Sequence, residues 1–184
     1  MGRWAALFAD LEAQAAAQET LQRRAEVEER TRAEVGTLTL GARLRASVGE
    51  PVVVRLTGGL STAGHIVEAG PDWTLLEEDA PREAVLANDH IIAVRGLARH
   101  AHTSVGVVES RLRLRNVLRA IARDRSAVRI HLATGTTIDA TLDRLGADFL
   151  EVAAHPVGEQ RRRGDVRDVE LLPLAAVVAV RRAG

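Results

Sequence analysis

The chain has 184 residues, of which 46% are apolar and only 2% aromatic, and its 25 basic residues balance 25 acidic ones to a net charge of zero. The absence of Cys excludes disulfides, thiolate metal sites and a cysteine nucleophile. The charge balance argues against a generic nucleic-acid coat but leaves room for a local basic face. Every basic residue is Arg, as a GC-rich genome would supply. No apolar run of membrane-spanning length occurs, and the N-terminus lacks a signal-peptide core, so the expectation is a soluble cytoplasmic protein with no membrane contact.

Residues 3–34 read as a long helix. Trp4, Leu7, Phe8 and Leu11 fall at i, i+3, i+4 and i+7 and form one apolar stripe. The stretch from Ala13 to Glu34 is rich in Ala, Glu, Gln and Arg, all good helix formers. Glu19 with Arg23 and Glu26 with Arg30 add i, i+4 support, and Gly36 is a plausible stop. This segment, residues 1–36, is expected to dock on a partner protein through residues 3–34 or to dimerise.

Two copies of one pattern follow. Val52–Leu76 aligns with Val128–Val152 without a gap, placing Leu56 on Leu132, Gly59 on Gly135, Gly70 on Gly146, Asp72 on Asp148 and Trp73 on Phe149. Internal repetition determines architecture before any local propensity does. The first copy, residues 37–98, reads as a short helix over Leu40–Ser47 and strands at 52–57, 60–69, 73–77, 83–87 and 91–95. In its second strand Thr62, Gly64 and Ile66 point inward. The second copy, residues 103–184, reads as a helix over about 105–123 and strands at 127–133, 137–145, 149–153, 166–172 and 177–181. Ile91-Ile-Ala-Val-Arg95 is echoed by Val177-Val-Ala-Val-Arg181, with the extra residues of the second copy in the polar loop 155–164. A unit of about 60 residues buries only about 60% of its unfolded surface, so the copies should pack together or oligomerise. The fold class is mainly β with α: two tandem helix-plus-five-stranded small barrels preceded by a long N-terminal helix.

A helix followed by five short strands resembles the Sm-like fold shared by Sm, LSm and Hfq proteins. The resemblance covers both copies. The family's apolar-x-apolar strand, glycine turn, and small and apolar residues midway along a bent second strand match Val54, Leu56, Gly59, Gly64 and Ile66. In the second copy they match Ile130, Leu132, Gly135, Ala140 and Leu142. The family's base-reading residues are absent, since Gly70 and Thr74, or Gly146 and Leu150, stand where the family carries an Asp and, four residues on, the Asn that binds a uracil edge. Leu86-Ala-Asn88 and Leu172-Pro-Leu174 stand where Hfq has Tyr-Lys-His. The resemblance thus implies the fold and an RNA ligand class but not the uridine pocket. SH3-like and PRC-barrel units are the alternative small barrels.

The resemblance also implies open fourth and fifth strands that pair between neighbours. The apolar fifth strands give Ile91, Ile92, Val94, Val177, Val178 and Val180 as candidate interface residues of a homo-oligomer. Two barrels per chain leave one edge at each end, so three chains would close a ring, a trimer being favoured over a dimer.

An arginine stripe is the sharpest chemical feature. Arg111, Arg115, Arg119 and Arg123 lie at successive i+4 positions, with Arg113, Arg125 and Arg129 close in sequence. Guanidinium groups grouped in this way suit phosphate. Arg161, Arg162 and Arg163 in the long loop are a second candidate. The competing reading is a solvated face, or one paired with Glu26, Glu28, Glu29 and Glu34 of the N-terminal helix. His90, His100 and His102 read as surface linker residues and Asp139 and Asp143 as exposed. No catalytic triad, phosphate loop, dinucleotide fingerprint or zinc signature occurs. The expectation is therefore a non-enzymatic protein without metal or cofactor, binding RNA through the arginine face. The alternative is a scaffold attached to a partner through its N-terminal helix.

Overall fold

The computed structural model describes residues 36–78, 82–98, 112–154 and 169–182, with Gln18, Glu19, Gln22, Arg23, Glu26 and Glu29 of the N-terminal segment. Residues 1–39 and 40–184 form two compact units. In the first, those six residues are helical and exposed, and Arg23 lies 3.5 Å from Glu19. Trp4, Leu7, Phe8 and Leu11 lie outside the described residues.

The second unit is mainly β. Helix α1 (Leu40–Arg45) precedes β1 (Pro51–Leu56), β2 (Ser61–Ala69), β3 (Trp73–Glu77), β4 (Glu83–Ala87) and β5 (Ile91–Arg95). Helix α2 (Leu114–Asp124) precedes β6 (Ala127–Leu132), β7 (Thr137–Leu145), β8 (Phe149–Ala154), β9 (Val169–Pro173) and β10 (Val177–Arg182). The expected repeat is thus present, although α2 begins at Leu114 and residues 105–111 lie outside the described residues. Burial alternates strictly along β1, with Val52, Val54 and Leu56 inside, as period-2 patterning requires.

All ten strands form one antiparallel sheet in the order β5-β1-β2-β3-β4-β10-β6-β7-β8-β9. Each half therefore has the same internal order, its fifth strand beside its first. Register shifts recur at matching places, between Ile66 and Glu68 in β2 and between Leu142 and Arg144 in β7. Such bulges bend a strand and sharpen its twist, which lets short strands curl over a core of their own. Gly64 sits in the first bend, where a Cβ would collide with the Glu77 carbonyl oxygen. Ala140 fills the matching place in the second half and is fully buried, so that half accommodates a methyl group.

Each half has its own core. The first is built on Leu44, Val54, Leu56, Ile66, Leu76 and Leu86. The second is built on Leu118, Ile130, Leu142, Leu150 and Val152. The halves meet where β10 pairs with β4, with Ala179 opposite Leu86, Val180 opposite Val85 and Arg181 opposite Ala84. Strand β10 serves both cores, Val178 and Ala179 entering the first while Val177 and Val180 enter the second. The turn after β1 meets the turn after β6 so closely that a Cβ on Gly58 would lie 2.8 Å from the Gly135 nitrogen. Gly58 has φ of 72°, so glycine is required there twice over.

Candidate functional site

Helix α2 carries the arginine stripe and is fixed from both halves. Leu118 is fully buried, and Leu114, Ile121 and Ala122 pack beside it on the second core. The start of the helix is gripped by the first half. The Leu114 amide donates to Asp72 Oδ1 at 2.8 Å, and Trp73 Nε1 donates to the Leu112 carbonyl at 2.8 Å. Arg113, the N-cap residue, makes no side-chain cap of its own, so Asp72 supplies the missing acceptor and a favourable charge at the helix N-terminus.

With its apolar face anchored, α2 presents Arg115 and Arg123 to solvent, with Arg119 half-buried between them. Steps of four residues advance about 6 Å and rotate about 40°, so these three form one gently winding stripe. Among the described residues none of the three side chains has a hydrogen-bond or ion-pair partner. Arg113 lies 3.7 Å from Asp72 but is largely exposed. Arg129 is taken out of the group by two hydrogen bonds to Asp139, at 2.8 and 3.2 Å. Asp139 is thereby mostly covered rather than exposed as its strand position suggested, because its partner on β6 folds over it. Arg111, Arg161, Arg162 and Arg163 lie outside the described residues, as do His100 and His102.

The candidate interface residues separate into two groups. Val177, Val178 and Val180 are buried between β4 and β6, so the contact they make lies inside one chain, between its halves. Ile91 and Val94 pack on the first core, while Ile92 is exposed on the outer strand β5. His90 also works within the chain, where Nδ1 meets the Thr57 hydroxyl at 2.8 Å and Nε2 the Ala175 carbonyl at 2.9 Å.

A polar cluster that no local sequence signal marks seals the same junction. Arg181 on β10 donates three hydrogen bonds to Glu78, at 2.6 to 3.1 Å, and Thr62 donates to the same carboxylate. Arg181 Nη1 also donates to His131 Nε2 at 2.8 Å, which requires that nitrogen to be unprotonated. Burial alone would raise the Glu78 pKa, but the bonds from Arg181 and Thr62 and the Arg181 charge hold it below its ordinary 4.5. His131 is held below its ordinary 6.5 by burial and by the charges of Arg181 and Arg129, against the weaker pull of Glu78 and Asp139. Glu78 and Arg181 are 103 residues apart, so only the tertiary fold pairs them.

The pH response follows in sign. A histidine whose folded pKa lies below 6.5 lets the unfolded chain take up its proton first, so stability falls as pH drops from 6.5 to the folded value. A carboxylate whose folded pKa lies below 4.5 contributes stability above 4.5 that is lost as pH falls through the folded value. Urea midpoints measured from pH 8 down to about pH 2 should fall in two stages, the upper beginning near 6.5 and the lower below 4.5, and His131→Gln should remove the upper one. An unchanged upper stage in that variant would refute the assignment.

Among the described residues no helix is long and apolar enough to cross a membrane, and no group of three or more His, Asp or Glu could hold a metal ion. No family model and no curated protein matches the chain.

Proposed function

We propose that this is a non-enzymatic, cytoplasmic nucleic-acid-binding protein built from two Sm-like small barrels, which holds the phosphates of RNA with the arginine face of α2. The observation that carries the reading is the trio Arg115, Arg119 and Arg123, exposed or half-buried on an anchored helix and without an acidic partner among the described residues. The order of strands in each half, fifth beside first, supports the Sm-like reading. The scarcity of aromatic residues leaves few stacking platforms, which favours backbone contact over base reading. The acting unit is a homo-oligomer, three chains closing a ring in preference to two, so that several arginine faces engage one strand together.

Fluorescence anisotropy of the full chain against short RNA, single-stranded DNA and duplex DNA tests this. Affinity for single-stranded RNA should fall with salt by about 0.7 log units per tenfold for each phosphate contact. Arg115→Gln, Arg119→Gln and Arg123→Gln together should weaken binding to all sequences and reduce that slope by about 2. No binding at low salt by the parent protein would overturn the reading and leave the scaffold attached through its N-terminal helix.

A further inference from the structure

Beside the arginine stripe, helix α2 borders a half-open cavity of about 270 Å³ at the junction of the two halves. Leu75 and Val85 line it from the first half, and Val128 and Val180 from the second. Helix α2 adds Val117 and Ile121, four residues apart and so on one face. Val85, Val128 and Val180 are buried, which makes the floor aliphatic. No aromatic ring lines the space, so a flat ligand finds nothing to stack on. Its volume lies just below the ~300–1,000 Å³ of sites for drug-sized ligands, which suits a smaller molecule with an aliphatic body.

The exposed part of the lining is charged with both signs. It comprises Glu83 at the start of β4, Arg182 at the end of β10, and Asp124 with Ser126 where α2 gives way to β6. Arg181 lies opposite Ala84, so Glu83 and Arg182 are the next residues outward on the two paired strands. Both are exposed, and neither side chain has a hydrogen-bond or ion-pair partner among the described residues. An exposed pair of this kind gains little by closing on itself, so both groups stay open to a ligand. Asp124 accepts a hydrogen bond from the Ser126 hydroxyl and keeps further lone pairs for a second donor. An aliphatic space thus carries two carboxylates and one guanidinium at its polar edge. An aliphatic α-amino acid carries the complement on one carbon: an ammonium with three donors, a carboxylate that matches the guanidinium fork, and an apolar side chain.

We propose that this cavity binds a free branched-chain amino acid of the leucine type. Its side chain fills the aliphatic space, its ammonium meets Glu83 and Asp124, and its carboxylate meets Arg182. Such a ligand touches α2 and both halves at once, so by linkage it stabilises the junction between them. The proposal does not depend on nucleic-acid binding.

Calorimetric and NMR titration of the full chain with L-leucine tests it. Binding should saturate, with amide shifts centred on Leu75, Val85, Val117, Ile121 and Val128. Isopentylamine and isocaproate, each lacking one of the two charges, should bind about tenfold or more weaker. Glu83→Gln and Arg182→Gln, on exposed residues, should fold normally and each weaken leucine binding by about tenfold or more. Ala120→Trp, at an exposed position lining the same cavity, should block it. Leucine at a hundredfold excess over Kd should raise the melting temperature of the parent by about 5 °C or more. No saturable binding at millimolar leucine overturns the proposal. So do amide shifts centred elsewhere, affinity indifferent to these substitutions, or a singly charged analogue that binds as tightly as leucine.

Discussion

Leu56→Asp is expected to abolish cooperative folding of residues 40–182. Leu56 is 1% exposed at the end of β1, within the first core. Losing a buried leucine costs about 2–5 kcal/mol. Placing a carboxylate there without a partner adds several more, or forces the group to be neutral. The sum is comparable with the roughly 5–15 kcal/mol of a whole domain. The internal repeat pairs Leu56 with Leu132 and implies equal sensitivity, but the structure separates them. Leu132 is only partly buried beside the second core, so Leu132→Asp should cost about 2 kcal/mol and leave a folded protein. Thermal melts followed by circular dichroism decide the matter. A Leu56→Asp variant melting within a few degrees of the parent would place that residue outside any tight core.

Val178→Asp should unfold both halves together. Its side chain is fully buried in the first core, yet its strand is hydrogen-bonded to β6 and lines the second core through Val177 and Val180. A charge there separates β10 from β4 and disturbs the strand on which the second core is built. The Glu78–Arg181 link lies at the same junction, so losing the β4 pairing also exposes that ion pair. A parent that unfolds in one step is the corollary, since neither half can lose β10 alone. Native-state amide exchange reads this residue by residue: protection at Ile130 and Val152 should fall along with that at Leu56 and Leu76. If Val178→Asp leaves protection in the second half at the parent's level, the halves are independent and β10 does not couple them.

Much of this architecture is legible in the residues themselves. Strands β1 to β5 are predictable within a residue or two because each is a short run, alternating in β1 and mostly apolar in β4, bounded by Gly, Pro, Asn or Asp. The repeat carried that reading into the second half, where composition alone is less clear. The bend at Gly64 follows from the same logic, since a curved strand crowds its concave side and admits only a small residue there. The stripe on α2 is likewise a matter of spacing, because positions four apart share a helix face. What spacing could not reveal is that Arg129 is claimed by Asp139 while Arg115, Arg119 and Arg123 have no acid within reach among the described residues.

The order in which the two copies join was decided only by tertiary structure. Both fifth strands are apolar and near-identical in sequence, and nothing local says which will be covered. Covering β10 with β4 makes Val178 a core residue and leaves Ile92 on the surface, although the two occupy the same place in the repeat. The same choice brings Glu78 to Arg181 and Asp72 to the start of α2 across long stretches of chain. Side-chain alternation and turn chemistry act within a few residues, so the sequence by itself determined the ten strands, their inward faces and the duplication. Which edge is filled depends on how two whole halves fit, and that is set by packing, register and charge between residues far apart in the chain.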